Sequence, residues 1–146
     1  MLTDAGATAR VEEAVAEAIV SGRFVAVAAG VLAIMTPGQW NDDTPVRVEL
    51  WPHEPVDDRD DWDHEVDVDL DLPTGTITIE SVGGPSGDVV PAAPGRYRGR
   101  VSGQGFAAAG APGADGGDAY RLRLWPRAAA APAVLRRAWP GWADQY

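Results

Sequence analysis

Residues 64–72, HEVDVDLDL, alternate without a break, with Val66, Val68, Leu70 and Leu72 at every second position and Glu65, Asp67, Asp69 and Asp71 between them. Side chains of a strand point to opposite faces with period two, whereas a helix would scatter these residues around its axis. The segment therefore reads as a strand with one face buried. The same period recurs in PVRVELW, where Val46, Val48 and Leu50 oppose Arg47, Glu49 and Trp51. It recurs again in GRYRGRV, where Tyr97, Gly99 and Val101 oppose Arg96, Arg98 and Arg100. In AYRLRLWP it places Tyr120, Leu122 and Leu124 inward and Arg121, Arg123 and Trp125 outward. TITIE follows the turn Pro73-Thr74-Gly75 and is expected to pair with 64–72 as a hairpin.

Two segments before residue 46 read differently. Val11, Val15, Ala18 and Ile19 recur at helical spacing, with Glu12, Glu13 and Glu17 on the other side and Gly22 as a stop. From Phe24 to Met35 the chain is apolar without a helical period and is punctuated at Gly30, which predicts one or two buried strands, the second over about residues 31–36. About seven to eight short strands separated by turn signals predict an all-β fold, an antiparallel β-sandwich with one N-terminal helix. At 146 residues the chain has the length of one domain, 1–146, with the sandwich over about 16–126 and a C-terminal tail over 127–146 that is alanine-rich with two tryptophans. The stretch 102–118, rich in Gly and Ala, is expected to be a mobile loop.

Charge is segregated along the chain. Residues 42–71 hold 13 acids against two arginines, a local net of −11, and residues 96–137 hold eight arginines against two aspartates, a local net of +6. If the strands carrying Asp67, Asp69 and Asp71 lie beside those carrying Arg98, Arg100, Arg121 and Arg123, cross-strand ion pairs follow. Between PVRVELW and HEVDVDLDL lies PHEPVDDRDDW, whose prolines stop a sheet and whose aspartates resist burial, so a surface loop is expected. Asp57, Asp58, Asp60, Asp61 and Asp63, with Trp62 as an aromatic anchor, form the candidate contact to a basic protein partner. Arg98, Arg100, Arg121 and Arg123 form the second candidate surface. The overall charge of −10 argues against binding nucleic acid.

Catalytic constellations are not found. The two histidines, His53 and His64, flank the acidic linker, and none of Ser21, Ser81, Ser86 and Ser102 lies in a GxSxG elbow. The glycine-rich stretches lack the lysine of a phosphate loop, because all 12 basic residues are arginine. The chain has no cysteine, which removes disulfides and thiolate metal sites. The aspartate run offers oxygens to calcium but lacks the central glycine and closing glutamate of an EF-hand, so no dedicated metal and no cofactor are expected. No run of apolar residues reaches membrane-spanning length, and a cytoplasmic protein is expected. The arginine and alanine usage has the bias of a GC-rich genome.

The order AEAIVSG, GVLAIMT, PVRVELW, DVDLDLPTGTITIES, PGRYRGRVSGQG and YRLRLWP resembles the ComJ (competence protein J) family and related small actinobacterial proteins, over about Ala16 to Pro126. Pro94, Gly95, Tyr97 and Arg98 correspond to its turn, and Tyr120, Leu122 and Trp125 to its last strand. ComJ is described as an inhibitor of a DNA-entry nuclease, and it has no catalytic residues to carry over. This chain departs from the family in the acidic insertion around Asp57 to Asp63 and the open loop after Gly105. The resemblance implies a non-enzymatic, acidic protein-binding module, a nuclease inhibitor or immunity-type protein. The alternative is a small-ligand or calcium-binding β-sandwich module.

Overall fold

A computed structural model describes residues 5–28, 30–37, 44–80, 86–109 and 117–145. Helix α1 spans Ala5–Val20, and a tight hairpin follows it, β1 (Val25–Ala28) and β2 (Val31–Ile34). Strand β3 (Val46–Leu50) leads through the acidic linker, with a 3-10 turn at Arg59–Asp61, into β4 (His64–Leu72). Strands β5 (Thr76–Glu80) and β6 (Ser86–Pro91) precede the long β7 (Gly95–Gln104), the short helix α2 (Phe106–Ala109) and β8 (Ala119–Pro126). Strand β9 (Val134–Arg137) and a 3-10 turn at Pro140–Asp144 end the described chain.

The central element is a five-stranded sheet of order β3-β8-β7-β4-β9. It is antiparallel except for β3 and β8, which run parallel in the register Val46↔Tyr120 to Leu50↔Leu124. The alternation read from the sequence holds in β4, β7 and β8. Val66, Val68, Leu70, Leu72, Tyr97, Val101, Leu122 and Leu124 share one buried cluster with Val25 of β1. Gly99 sits where a Cβ would approach the methyl groups of Leu124 and Leu70 at 3.1 and 3.3 Å, so its lack of a side chain lets these leucines close over the sheet.

Three expectations are corrected. The main sheet is mixed, and its apolar face is covered by the β1–β2 hairpin, with Val27, Leu32 and Ile34 packed against the sheet's cluster. No second sheet of comparable size closes a sandwich among the described residues. Ala26 and Ala33, paired across the hairpin and buried, occupy its other face, where their small side chains let α1 approach with Ala14 and Ala18 fully buried. TITIE does not pair with 64–72: β5 pairs with β6, because both edges of β4 are taken at its start, by β7 along its whole length and by β9 at Glu65–Asp67. The first part of the expected mobile loop is ordered, since Ser102, Gly103 and Gln104 continue β7 and Phe106–Ala109 is α2. Its remainder, 110–116, and the turn 81–85 lie outside the described residues.

The tail docks through β9 and through Trp142, which is buried with Phe106 and Tyr120 and stacks on Phe24 at 4.1 Å between ring centroids. No helix among the described residues is long and apolar enough to cross a membrane.

Candidate functional site: an acidic strap over an arginine face

The middle of the central sheet's polar face is buried too, with Glu65, Asp67, Arg98, Arg100, Ser102 and Arg123 each 6 % exposed or less. Register places Asp67 beside Arg100, Asp69 beside Arg98 and Glu65 beside Ser102. Arg100, 1 % exposed, holds Asp67 with two hydrogen bonds, Nε to Oδ1 at 2.7 Å and Nη2 to Oδ2 at 2.9 Å. This forked geometry is what a guanidinium offers a carboxylate. Burial opposes the charge on Arg100, but Asp67 and then Glu54 outweigh it, and its pKa is raised. Arg98 bonds Asp69 at 2.9 Å and the carbonyls of Ala131 and Pro132. Asp69 in turn accepts the Ala131 N–H. Burial pushes the Asp69 pKa up, yet the Ala131 N–H and Arg98 bring it below its ordinary value.

The pairing foreseen across β4 and β7 is thus present, but β8 brings a conflict. On β7 Arg100 lies directly opposite Arg123 and Ser102 opposite Arg121, with no carboxylate to meet either, while on the other side β3 sets Glu49 beside Arg123 but Arg47 beside Arg121. Like charges facing each other across a sheet destabilise it. The linker resolves the conflict. It folds back over the sheet as a strap, and the Asp58 carboxylate accepts hydrogen bonds from both Arg121 and Arg123 at 2.8 Å. Burial raises the Asp58 pKa and the two arginines lower it, with the net shift downward. Desolvation and the neighbouring Arg121 charge lower the pKa of Arg123, as expected for a guanidinium crowded by another.

Other strap residues reinforce the contact. Glu54 bonds Arg100 at 2.9 Å, Val56 offers its carbonyl to Arg123, and Asp57 pairs with Arg59 and with Arg136 of β9. The hydrogen bonds from Arg59 hold the Asp57 carboxyl far below the usual carboxylate range. Glu65, fully buried, sits at the centre. It accepts from Ser102 Oγ at 2.7 Å and from Arg136 Nε at 2.8 Å, with Arg100 and Arg123 at 3.8 and 3.9 Å.

The predicted site residues separate into three groups. Asp58 faces inward as a counter-ion, and Asp57, its side chain half exposed, pairs with Arg59 and Arg136 at the rim. Asp63 accepts the Phe106 N–H at 3.1 Å, tying the strap to the start of α2, and the Trp62 ring lies 4.3 Å beneath the Arg121 guanidinium. Asp60, with its side chain 97 % exposed, and Asp61 face solvent, and only Asp60 has an ion-pair contact, with Arg137 at 3.3 Å. The second candidate surface is not an open one. Arg98, Arg100 and Arg123 are each 3 % exposed or less, and Arg121 is partly covered by Asp58. Trp125, expected outward, is buried on this face with the Arg100 guanidinium 5.1 Å from its ring.

Sequence reasoning missed Glu54, Glu65, Ser102 and Arg136 as members of the network. Alternation marked Glu65 as polar-facing, but only the register against Ser102 and the return of β9 show it to be central. Neither histidine meets a serine in the described contacts. His53 is exposed, and His64 is buried among Phe24, Phe106 and Trp142. Its Nε2–H donates to the Arg23 carbonyl, while Nδ1 accepts from the Trp139 N–H and Trp142 Nε1–H. Both nitrogens are committed in the neutral ring, and burial lowers its pKa, with the Arg23 bond acting in the opposite sense.

Among the described residues no three His, Asp or Glu side chains gather in a way that could hold a metal ion. A groove of about 710 Å³ runs between α1 and the edge of β4, lined by Glu13, Glu17, Arg23, Val68 and Asp69 among others, and contains none of the strap residues. No family model matches the chain, and neither a curated protein nor a solved structure matches it.

Proposed function

We propose that this chain is a non-enzymatic protein-binding module whose acidic outer surface meets a basic protein. The observation that carries the reading is the direction its arginines take. Arg98, Arg100, Arg121, Arg123 and Arg136 turn into the molecule, where they face Asp57, Asp58, Glu65, Asp67 and Asp69. This inner set is balanced in itself, so the net charge of −10 is displayed outside it. Glu12, Glu13, Glu54, Asp60, Asp61, Asp71 and Asp144 are exposed. Arg10, Arg47, Arg96, Arg127 and Arg137 are exposed as well, but acids outnumber them, and a net field of one sign steers an oppositely charged partner and raises its association rate.

The strap is the part of this surface best suited to recognition. It is anchored from beneath by Asp58 and Asp63, so Asp60, Asp61 and the 84 % exposed Val56 are presented on a held segment. Less ordering entropy is then lost on binding. The resemblance to ComJ suggests the partner class, a nuclease whose phosphate-holding cleft is basic and accepts carboxylates in place of nucleic acid. The test uses a nuclease encoded beside this chain in its genome. Its DNA cleavage is measured with and without the chain at low and high salt, for the parent and for Asp60→Asn/Asp61→Asn. Inhibition whose onset is slowed by salt and by the double variant supports the reading, and absence of binding at every salt concentration overturns it.

A further inference from the structure

Strand β3 is the outer strand of the central sheet, and among the described residues no strand pairs with its free edge. Which main-chain groups lie on that edge follows from the bonds to β8. Tyr120 N–H donates to Pro45 O at 3.0 Å, and Trp51 N–H donates to Leu124 O at 2.8 Å. In the parallel register, residues 45, 47, 49 and 51 therefore turn toward β8. Main-chain groups alternate sides along a strand, so the N–H and C=O groups of Val46, Val48 and Leu50 face outward. Leu50 is 50 % exposed and Trp51 36 % exposed beside this edge. An open edge with exposed apolar side chains is a template for a further strand.

The side chains of the edge select its occupant. The side chains of Arg47, 78 % exposed, and Glu49, 20 % exposed, lie on the polar face of β3 and pair with each other at 2.9 Å in the single chain, so a contact between copies would exchange that pair for the same pair made across two chains. A second copy of the strand running antiparallel can exchange bonds through Val46, Val48 and Leu50 only in registers that pair these residues with one another. With Val48 opposite itself, Val46 faces Leu50 of the other copy, and Arg47 faces Glu49 twice over. Sliding by one allowed step in either direction puts Arg47 opposite Arg47, or Glu49 opposite Glu49. Like charges opposite each other are unfavourable and opposite charges favourable, so a single register is singled out. In that register Arg47 and Glu49 fall at the non-hydrogen-bonded pair, where side chains approach most closely. Pro52 has no N–H to extend the ladder past Leu50.

We propose that the outer edge of β3 is a two-fold contact between two copies of this chain, with Val48 opposite itself and Arg47 of each copy opposite Glu49 of the other. The contact joins two five-stranded sheets into one. Because it is isologous it uses the same edge on both copies and stops at two. Its area is that of one short strand pair, so the dimer is weak and depends on concentration.

Sedimentation velocity over two decades of concentration, reaching the millimolar range, tests this. The unmodified protein is expected to pass from 15.4 kDa toward twice that mass. Arg47→Glu and Glu49→Arg each set like charges opposite each other at two symmetric places, and each is expected to weaken self-association by about tenfold or more. Mixed together, the two variants restore every opposite-charge pair and are expected to associate with each other as the parent does with itself. That rescue also shows that both variants are folded. In the unmodified protein, amide exchange at Val46, Val48 and Leu50 is expected to slow as concentration rises, a reading independent of any substitution. A chain that stays monomeric to millimolar concentration overturns the proposal. So does a dimer that both charge reversals leave intact, or one that leaves these three amides unprotected, since another surface is then the contact.

Discussion

On one face of the central sheet Val66, Val68 and Leu70 lie against Val101, Leu122 and Leu124. One residue along the same strands, Glu65, Asp67 and Asp69 lie against Ser102, Arg100 and Arg98. Both faces are buried, but they depend on their surroundings in different ways. The apolar face gains free energy by leaving water and needs only a cover of matching shape, which the β1–β2 hairpin supplies. The polar face costs free energy to dehydrate and becomes tolerable only when each charge meets a partner in good geometry. It therefore recruits groups far away in the chain, Glu54 and Asp58 from the strap and Arg136 from β9. Even so, the Nε–H groups of Arg98, Arg121 and Arg123 are buried without a protein acceptor. The apolar face is forgiving and stabilising, whereas the polar face is exacting and specifies which segments must lie where.

The comparison breaks most violently if a charge is placed on the wrong face. Leu70→Asp buries a carboxylate among aliphatic side chains and is expected to cost about 4 kcal/mol or more, enough to unfold a marginally stable chain. Asp71→Ala next to it, on an exposed side chain, is expected to cost less than about 0.5 kcal/mol. Urea denaturation of both reads the difference, and equal effects would mean the register of β4 is displaced by one residue.

Removing one partner from the polar face comes next. Arg100→Ala leaves Asp67 buried with only Arg136 Nη1, at 3.5 Å, in place of a forked pair, with an expected loss of about 3 kcal/mol. Replacing both partners, Arg100→Met with Asp67→Leu, is expected to recover most of that loss, because an apolar pair carries no desolvation cost. If the double variant is as unstable as the single one, the polar face contributes through more than this pair.

Acid separates the two kinds of burial. His64 has a pKa below its ordinary 6.5, chiefly through burial among aromatic rings, so the unfolded chain takes up a proton before the folded one does. Stability is then expected to fall as pH drops below about 6.5 and to level off once the folded form protonates too. Protonation would also set an N–H at Nδ1 against the Trp139 and Trp142 donors. Asp58 and Asp69 have pKa values below 3.8, so their contribution is present above that pH and is lost as pH falls through their lower folded values. Thermal unfolding from pH 8 to pH 2 is expected to show two separate declines, and His64→Gln is expected to remove the first alone. The smallest effect belongs to Asp60→Asn/Asp61→Asn, which is expected to shift stability by less than about 0.5 kcal/mol, because these carboxylates are already in water.

Much of this molecule was legible because alternation is a local signal. The strand segments over 46–50, 64–72, 97–101 and 120–124 and the inward set Val66, Val68, Leu70, Tyr97, Leu122 and Leu124 follow from period two, and α1 follows from its own spacing. The strap was legible as an acidic, proline-bounded loop, but its role was not. Nothing in PHEPVDDRDDW distinguishes Asp58, which neutralises two arginines, from Asp61, which faces solvent.

What the sequence by itself determined is which residues share a face of a strand, since that depends only on the alternation of the backbone. Which strands are neighbours was decided by tertiary structure. The β5–β6 pairing, the parallel β3–β8 ladder and the docking of β9 each join segments whose sequences do not mark them as partners. The fate of the charges was decided there too. A carboxylate becomes a counter-ion or a solvated surface group according to whether an arginine some 60 residues away reaches it, as Arg121 and Arg123 reach Asp58. That pairing depends on distance in space, which a strand's own periodicity does not encode.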